Sequence, residues 1–347
     1  MEISVQKSNQ LKAVAVLMML FLHLFNRPFK GLFQPLLFIG TQSLSYYISL
    51  FCDACVPIFC FLSGYGLYFK FVKNTNAIYK QENSDRIKKL YINYWIILLL
   101  FAVLLGWLMN ADGLPGDLTK FVLNVTAIDT SYNSAWWFFF TYLLLVASSA
   151  YLFYIIDRFP LLFLSATLLI IYVIGFYYRV YQPGAFDNFV LNWFQRQLSL
   201  YATSLLSFCS GAMALKYKWN TKMSFFFATL KFKNALILVA IAVLIVIHGV
   251  IPNFIVAPFL AIPFIFLFCQ LNLSKNVAQI FDYVAPHATN MWLVHMFFYV
   301  VYFESFIYSA TYVLPIFFVL VSCSLFSSII VNLLNNAILK KTNLSSL

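Results

Sequence analysis

The sequence predicts an all-α, polytopic bundle of about ten membrane-spanning helices with both termini cytoplasmic. Three observations predict it. Of 347 residues, 63% are hydrophobic, 20% aromatic and only 10% charged, and the mean hydropathy is +0.86. Soluble domains are roughly a quarter charged, so almost nothing here is polar enough to build one, and residues 1–347 read as a single transmembrane domain with no appended soluble domain. Ten windows long and apolar enough to cross a bilayer, about 20 residues each, can be placed along the chain. With the N-terminus inside, 17 of the 22 Lys and Arg residues fall in inner segments and only Arg27, Lys30, Lys120, Arg179 and Arg196 in outer ones, the bias expected of cytoplasmic loops. The net charge of +11 is then a consequence of topology and gives no reason to invoke nucleic acid.

The first span covers 8–27. Its start resembles a signal peptide, but the apolar run ends in Phe25-Asn26-Arg27-Pro28 without a small-x-small cleavage site, so it reads as a retained helix. Within it, LKAVAVLMMLFLHLF carries Lys12 and His23. Eleven residues advance a helix by three turns plus about 20° and about 16 Å, so the two share one face, Lys12 at the cytoplasmic end and His23 past the midplane. Ionisable groups at such depth are expensive and mark function by default. The alternative is that Lys12 snorkels to the interface and His23 bonds a neighbouring helix.

The second span, 44–69, contains FCDACVPIFCFLSGYGLYF. Asp53 falls at a depth comparable to His23, and a carboxylate there is costly unless paired. His23 is the most economical partner, and such a pair would orient the imidazole for proton abstraction. Equally open is an Asp53 that lines a water-filled outer vestibule. Pro57 predicts a kink. Ser63-Gly64-Tyr65-Gly66 places small residues in the inner half, where they permit close helix approach or a ligand, with Ser63 and Tyr65 as candidate cavity residues. The third span, 88–109, follows the most basic inner loop, which ends in Arg86, Lys88 and Lys89. Positive-inside bias, anionic lipid and a phosphate-bearing substrate all account for that cluster.

The outer loop 110–133, with Asp112, Asp117 and Asp129, is either a lid or a solvated connection. Asn124-Val125-Thr126 and Asn343-Leu344-Ser345 match glycosylation sequons. The fourth span, 134–156, opens with Trp136 and Trp137 at the outer interface, where aromatic belts form. Spans at 160–179 and 194–215 follow, then 234–251 and 253–272, joined by the short HGVIPNF, which leaves His248 exposed. The ninth span, 289–309, is entered through His287, runs through Asn290 to His295 and ends near Glu304. The tenth is 313–337. Six cysteines sit mostly in apolar runs, where Cys behaves as a small hydrophobe. Cys52 and Cys55 have no second ligand pair at a zinc-like spacing, so no metal site is expected.

Four stretches together resemble the acyltransferase-3 family of integral membrane acyltransferases: Lys12 with His23 eleven residues on, VPIFCFLSGYGL, the basic RIKKLYINYW, and NMWLVHMFF. The resemblance covers nearly the whole chain and implies a surface-polysaccharide O-acetyltransferase of a bacterial plasma membrane. It implies acetyl-CoA or another acyl-CoA as co-substrate, docked from the cytoplasm, a glycan hydroxyl as acceptor at the outer face, and no bound cofactor. It carries the catalytic role onto His23 and donor binding onto Lys12, Arg86 and Lys89, with Lys88 beside them; the orienting role of Asp53 rests on the depth argument above and not on the resemblance. Trp136, His287, Asn290 and His295 become possible cavity residues. The family usually has arginine at the positions of Lys12 and Lys89, and many relatives place a glutamate after the fourth-span tryptophans, where SAWWFFFTYLLLV has none. A competing class is a transporter or lipid-linked sugar flippase; such proteins often have duplicated halves, and no internal repeat is visible here.

Overall fold

The computed structural model describes residues 2–27 and 31–341, so Lys30 and the sequon at Asn343 lie outside the described residues. Almost every ordered element is helical. In chain order they are α1 (Val5–Phe25), the hairpin strands β1 (Phe38–Ile39) and β2 (Gln42–Ser43), α2 (Leu44–Phe51), α3 (Cys55–Lys73), α4 (Asn76–Ile97), α5 (Leu105–Leu108), α6 (Leu118–Val125), α7 (Trp137–Arg158), α8 (Leu161–Val180), α9 (Phe189–Lys216), α10 (Trp219–Ala228), α11 (Lys233–Val250), α12 (Ala257–Gln270), α13 (Lys275–Val284), α14 (Ala288–Met296), α15 (Glu304–Tyr308) and α16 (Val313–Lys341). Among the described residues, eight helical segments are long and apolar enough to cross a bilayer, and Phe254–Gln270 is a shorter apolar one. The fold is an all-α polytopic helical bundle.

Two of the expected spans are interrupted. Between α2 and α3 the chain makes a 3₁₀ turn over Cys52–Ala54. Pro57 explains it, because a residue without an N–H cannot return a helical bond to the carbonyl of Asp53, four positions back. The expected helix over 289–309 is instead α14, a π-helical stretch over Phe297–Tyr302, and α15. Phe303, at φ −131° and ψ 31°, is the break.

The chain divides into two compact units. One comprises the residues up to Leu11, Ala54–Lys80 and Phe138–Leu273. Its centre is the crossing of α3 and α9, where Gly64 sits against the carbonyl oxygen of Phe208 and Gly211 against that of Phe61. Each helix thus offers the other a glycine, and small residues at such contacts let two backbones approach. Three hydroxyls of α9 donate back to their own helix, Ser199 to the Gln195 carbonyl (2.8 Å), Thr203 to Ser199 (2.8 Å) and Ser204 to Leu200 (2.8 Å). Tyr65 is a structural anchor here: its hydroxyl oxygen accepts the Ile3 N–H at 2.8 Å. Ser63 is half-buried on α3. His248, expected to be exposed, is fully buried, because α11 runs on to Val250 and keeps it in the last helical turn.

The second unit comprises Lys12–Asp53, Gln81–Trp137 and the residues from Ser274 onward. Val16, Leu20 and Phe25 on α1 are buried, and Phe21 meets Phe317 of α16 edge-on at 5.5 Å. Residues 110–133 form an ordered segment that is bonded to α4. Tyr91, Tyr94 and Trp95 of α4 donate to the carbonyls of Thr126 (3.0 Å), Asn124 (2.7 Å) and Val125 (2.9 Å), which docks the end of α6. Asn124 itself is fully buried and bonds Ser131 and the Tyr132 N–H, so its sequon is a structural asparagine rather than an acceptor for sugar.

Candidate active site

His23 lies in the last turn of α1, which ends as the chain reaches Asn26 and Arg27. The side chain that meets it is His295, in the last turn of α14: His23 Nδ1 and His295 Nε2 are 2.6 Å apart. The ring centroids are 4.8 Å apart and the planes differ by 9°. That separation is taken up by the N···N bond plus the two ring radii, so the imidazoles meet edge to edge in nearly one plane. His295 Nδ1 in turn lies 2.7 Å from the Trp292 carbonyl oxygen. The Tyr299 ring, one helical turn past His295, is nearly parallel to both imidazoles, at 6.4 Å from His23 and 6.0 Å from His295. The Arg27 guanidinium caps this cluster 6.0 Å from the Tyr299 centroid.

Why α14 holds this position follows from its hydrogen bonds. At its end the Phe297 N–H turns to the Val294 carbonyl, and the Leu293 carbonyl accepts instead from the Trp136 indole (2.8 Å) and the Asn133 amide (3.0 Å). The Trp292 indole reciprocates, donating to the Ala135 carbonyl at 2.9 Å. Trp136 is therefore a fully buried staple and not a member of an interfacial belt; its N–H has a carbonyl to satisfy, which draws it inward.

Past His295 the helix widens into the π stretch, closed by a five-residue bond from Phe303 N–H to the Phe298 carbonyl (3.1 Å). A second π stretch continues α4 over Leu98–Leu104. The two are tied together by the Tyr302 hydroxyl, which donates to the Phe101 carbonyl at 2.5 Å. Such bulges shift carbonyls out of the regular ladder and occur often at functional sites.

Two further predicted residues, His287 and Asn290, belong to a polar chain between helices. Asn93 on α4 donates to Asn290 on α14 (2.6 Å), Asn290 to Asn332 on α16 (2.8 Å), and Asn332 to His287 Nδ1 (3.2 Å), which also meets Ser328 Oγ at 2.9 Å. His287 and Asn290 thereby join helices.

At the other end of α1, Lys12 is half-buried and within electrostatic range of Arg86 on α4. Two cations held together repel, and an anion between them relieves the repulsion. Lys88 differs: it pairs with Asp85 at 3.3 Å, one turn back, and Asp85 also accepts from Gln81 at 2.9 Å. Lys89 is half-buried on the same helix.

The expected His23–Asp53 pair gives way to His23–His295. The depth argument for it assumed a straight second span, whereas Asp53 sits in the 3₁₀ turn of Cys52–Ala54. Ser63 and Tyr65 belong to the other unit, in its α3. Sequence reasoning missed Arg27 and Tyr299; the four-residue spacing of His295 and Tyr299, which puts two side chains on one helix face, was the available signal.

Fold and site thus define a polytopic membrane protein with a hydrogen-bonded imidazole pair at one end of its first helix and two cations within electrostatic range of each other towards the other end. Residues 6–333 match the acyltransferase domain family, acyltransferase-3. The chain belongs to this family and is a membrane acyltransferase. No curated protein and no solved structure matches it.

Proposed function

We propose that the protein transfers an acyl group, acetyl in its ordinary use, from cytoplasmic acyl-CoA to a hydroxyl of a cell-surface polysaccharide or its precursor at the outer face of a bacterial plasma membrane. The observation that carries the reading is that one helix, α1, holds Lys12 within electrostatic range of Arg86 towards one end and His23 against His295 at the other. The cations suit the phosphates of CoA, which charge-assisted bonds recognise. His23 is the general base. It removes the acceptor hydroxyl's proton as the oxygen attacks the thioester carbonyl, and the acyl group leaves sulfur for oxygen.

The test is the ester-linked acetate of envelope polysaccharide, released by mild base from cells that carry the protein. His23→Ala at normal protein levels should abolish it, and full acetylation in that variant would overturn the reading.

A further inference from the structure

We propose that His295 is a positioning residue that fixes the tautomer of His23 and presents Nε2 as the proton acceptor. The inference rests on the reading of His23 as general base and says which nitrogen acts and what holds it.

The Trp292 carbonyl can only accept, so His295 Nδ1, 2.7 Å away, carries the proton of the neutral ring. His295 Nε2 is then a lone pair. It lies 2.6 Å from His23 Nδ1, so that nitrogen must donate, and His23 Nδ1 carries its ring's proton. By elimination, His23 Nε2 is unprotonated. The direction of the chain is fixed at its end by a backbone carbonyl, which can only accept. Free imidazole has no such preference imposed on it, and which nitrogen is protonated is set by the bond the other makes.

Geometry makes the chain rigid. His295 is fully buried and Tyr299 is 3% exposed. The near-coplanarity of the two imidazoles, 9°, aligns donor and lone pair. The Trp292 carbonyl that starts the chain belongs to the helical turn stapled by Trp136 and Asn133 through Leu293.

In the transfer step the acceptor O–H proton moves to His23 Nε2 as the new C–O bond forms. The tetrahedral centre collapses, the C–S bond breaks, and the same proton passes to the CoA sulfur to give the thiol and the ester. While His23 is cationic, its Nδ1–H donates more strongly to the His295 lone pair. His295 therefore steadies the charge without exchanging a proton with substrate.

Two measurements test this. The chain has four histidines, so ¹⁵N-histidine NMR of the purified protein in micelles can be assigned by single substitutions. His23 should show Nδ1–H with an unprotonated Nε2, and a protonated Nε2 in the neutral ring would overturn the proposal whatever the activity. In kinetics, His295→Leu should lower kcat by about a hundredfold, the scale of general-base catalysis, with KM for acyl-CoA unchanged. His295→Gln, whose amide oxygen can take the place of Nε2 as acceptor, should recover at least about tenfold of that loss. If His295→Leu folds and keeps its kcat, or if Gln rescues nothing, His295 does not position the base. Because the NMR result does not depend on turnover, a correct tautomer in a protein that transfers no acyl group would refute the proposed function and leave the hydrogen-bond chain standing.

Discussion

Gly64→Ala should destabilise the protein although alanine is the better helix former. A Cβ at Gly64 would overlap the Phe208 carbonyl oxygen and stand 2.8 Å from its carbon and 3.2 Å from its Cα. All three are backbone atoms, so no rotamer change relieves the clash, and α3 and α9 must separate. Overpacking of this kind costs about 1–3 kcal/mol, and a backbone-to-backbone clash belongs at the upper end of that range. Against it stands a helix-propensity gain of about 0.5–1 kcal/mol. The net expectation is a loss of about 2 kcal/mol. Gly66, two residues on, supplies the control: nothing lies within 4 Å of its hypothetical Cβ, so Gly66→Ala should be neutral or stabilising by about 0.5–1 kcal/mol. Reversible unfolding by SDS in mixed micelles, followed by circular dichroism, reads both. Equal midpoints for the two variants would refute the close crossing of α3 and α9.

Other predictions concern the second unit. Tyr302→Phe removes the donor to the Phe101 carbonyl and should cost about 0.5–1.5 kcal/mol, the net worth of one intramolecular hydrogen bond; an unchanged unfolding midpoint would contradict the link between the two π stretches. Asn290→Leu breaks two interhelical bonds, and at about 0.6 to 1.7 kcal/mol each it should lower the same midpoint by about 1–3 kcal/mol. Arg86→Gln should weaken acyl-CoA binding about tenfold or more, the worth of a charge-assisted bond. Lys88→Gln should change it by less than about twofold, because the charge of Lys88 is already paired with the buried Asp85. Equilibrium dialysis with labelled CoA distinguishes the two, and equal losses would remove Arg86 from the donor site.

Much of the fold was legible because a bilayer demands long apolar segments and internally satisfied backbones. The windows at 160–179, 194–215 and 234–251 fall on α8, α9 and α11 within a few residues. Local chemistry also gave the interruption near Pro57. The break at Phe303 was not legible, because the π stretch before it depends on Tyr302 reaching Phe101, 201 residues away in sequence. The burial of Trp136 had the same cause: its partner is a carbonyl 157 residues on. For the site, helical geometry gave His23 and Lys12 a shared face of the first span, and the family resemblance gave them their expected roles. The partner of His23 could not. Charge pairing favoured Asp53, the nearest carboxylate in a spanning segment, while the side chain that arrives is another imidazole 272 residues away, fixed by the bonds that hold α14.

The most direct test of the account is acyl transfer across a membrane by the purified chain. Proteoliposomes would receive acetyl-CoA labelled in the acetyl group on the face of Lys12 and Arg86, and an envelope-polysaccharide extract on the opposite face. The account predicts base-labile label in the glycan, one CoA thiol released per acetyl transferred, and loss of transfer in His23→Ala with donor binding retained. Movement of glycan without dependence on CoA, or transfer by His23→Ala at the unmodified protein's rate, would contradict it.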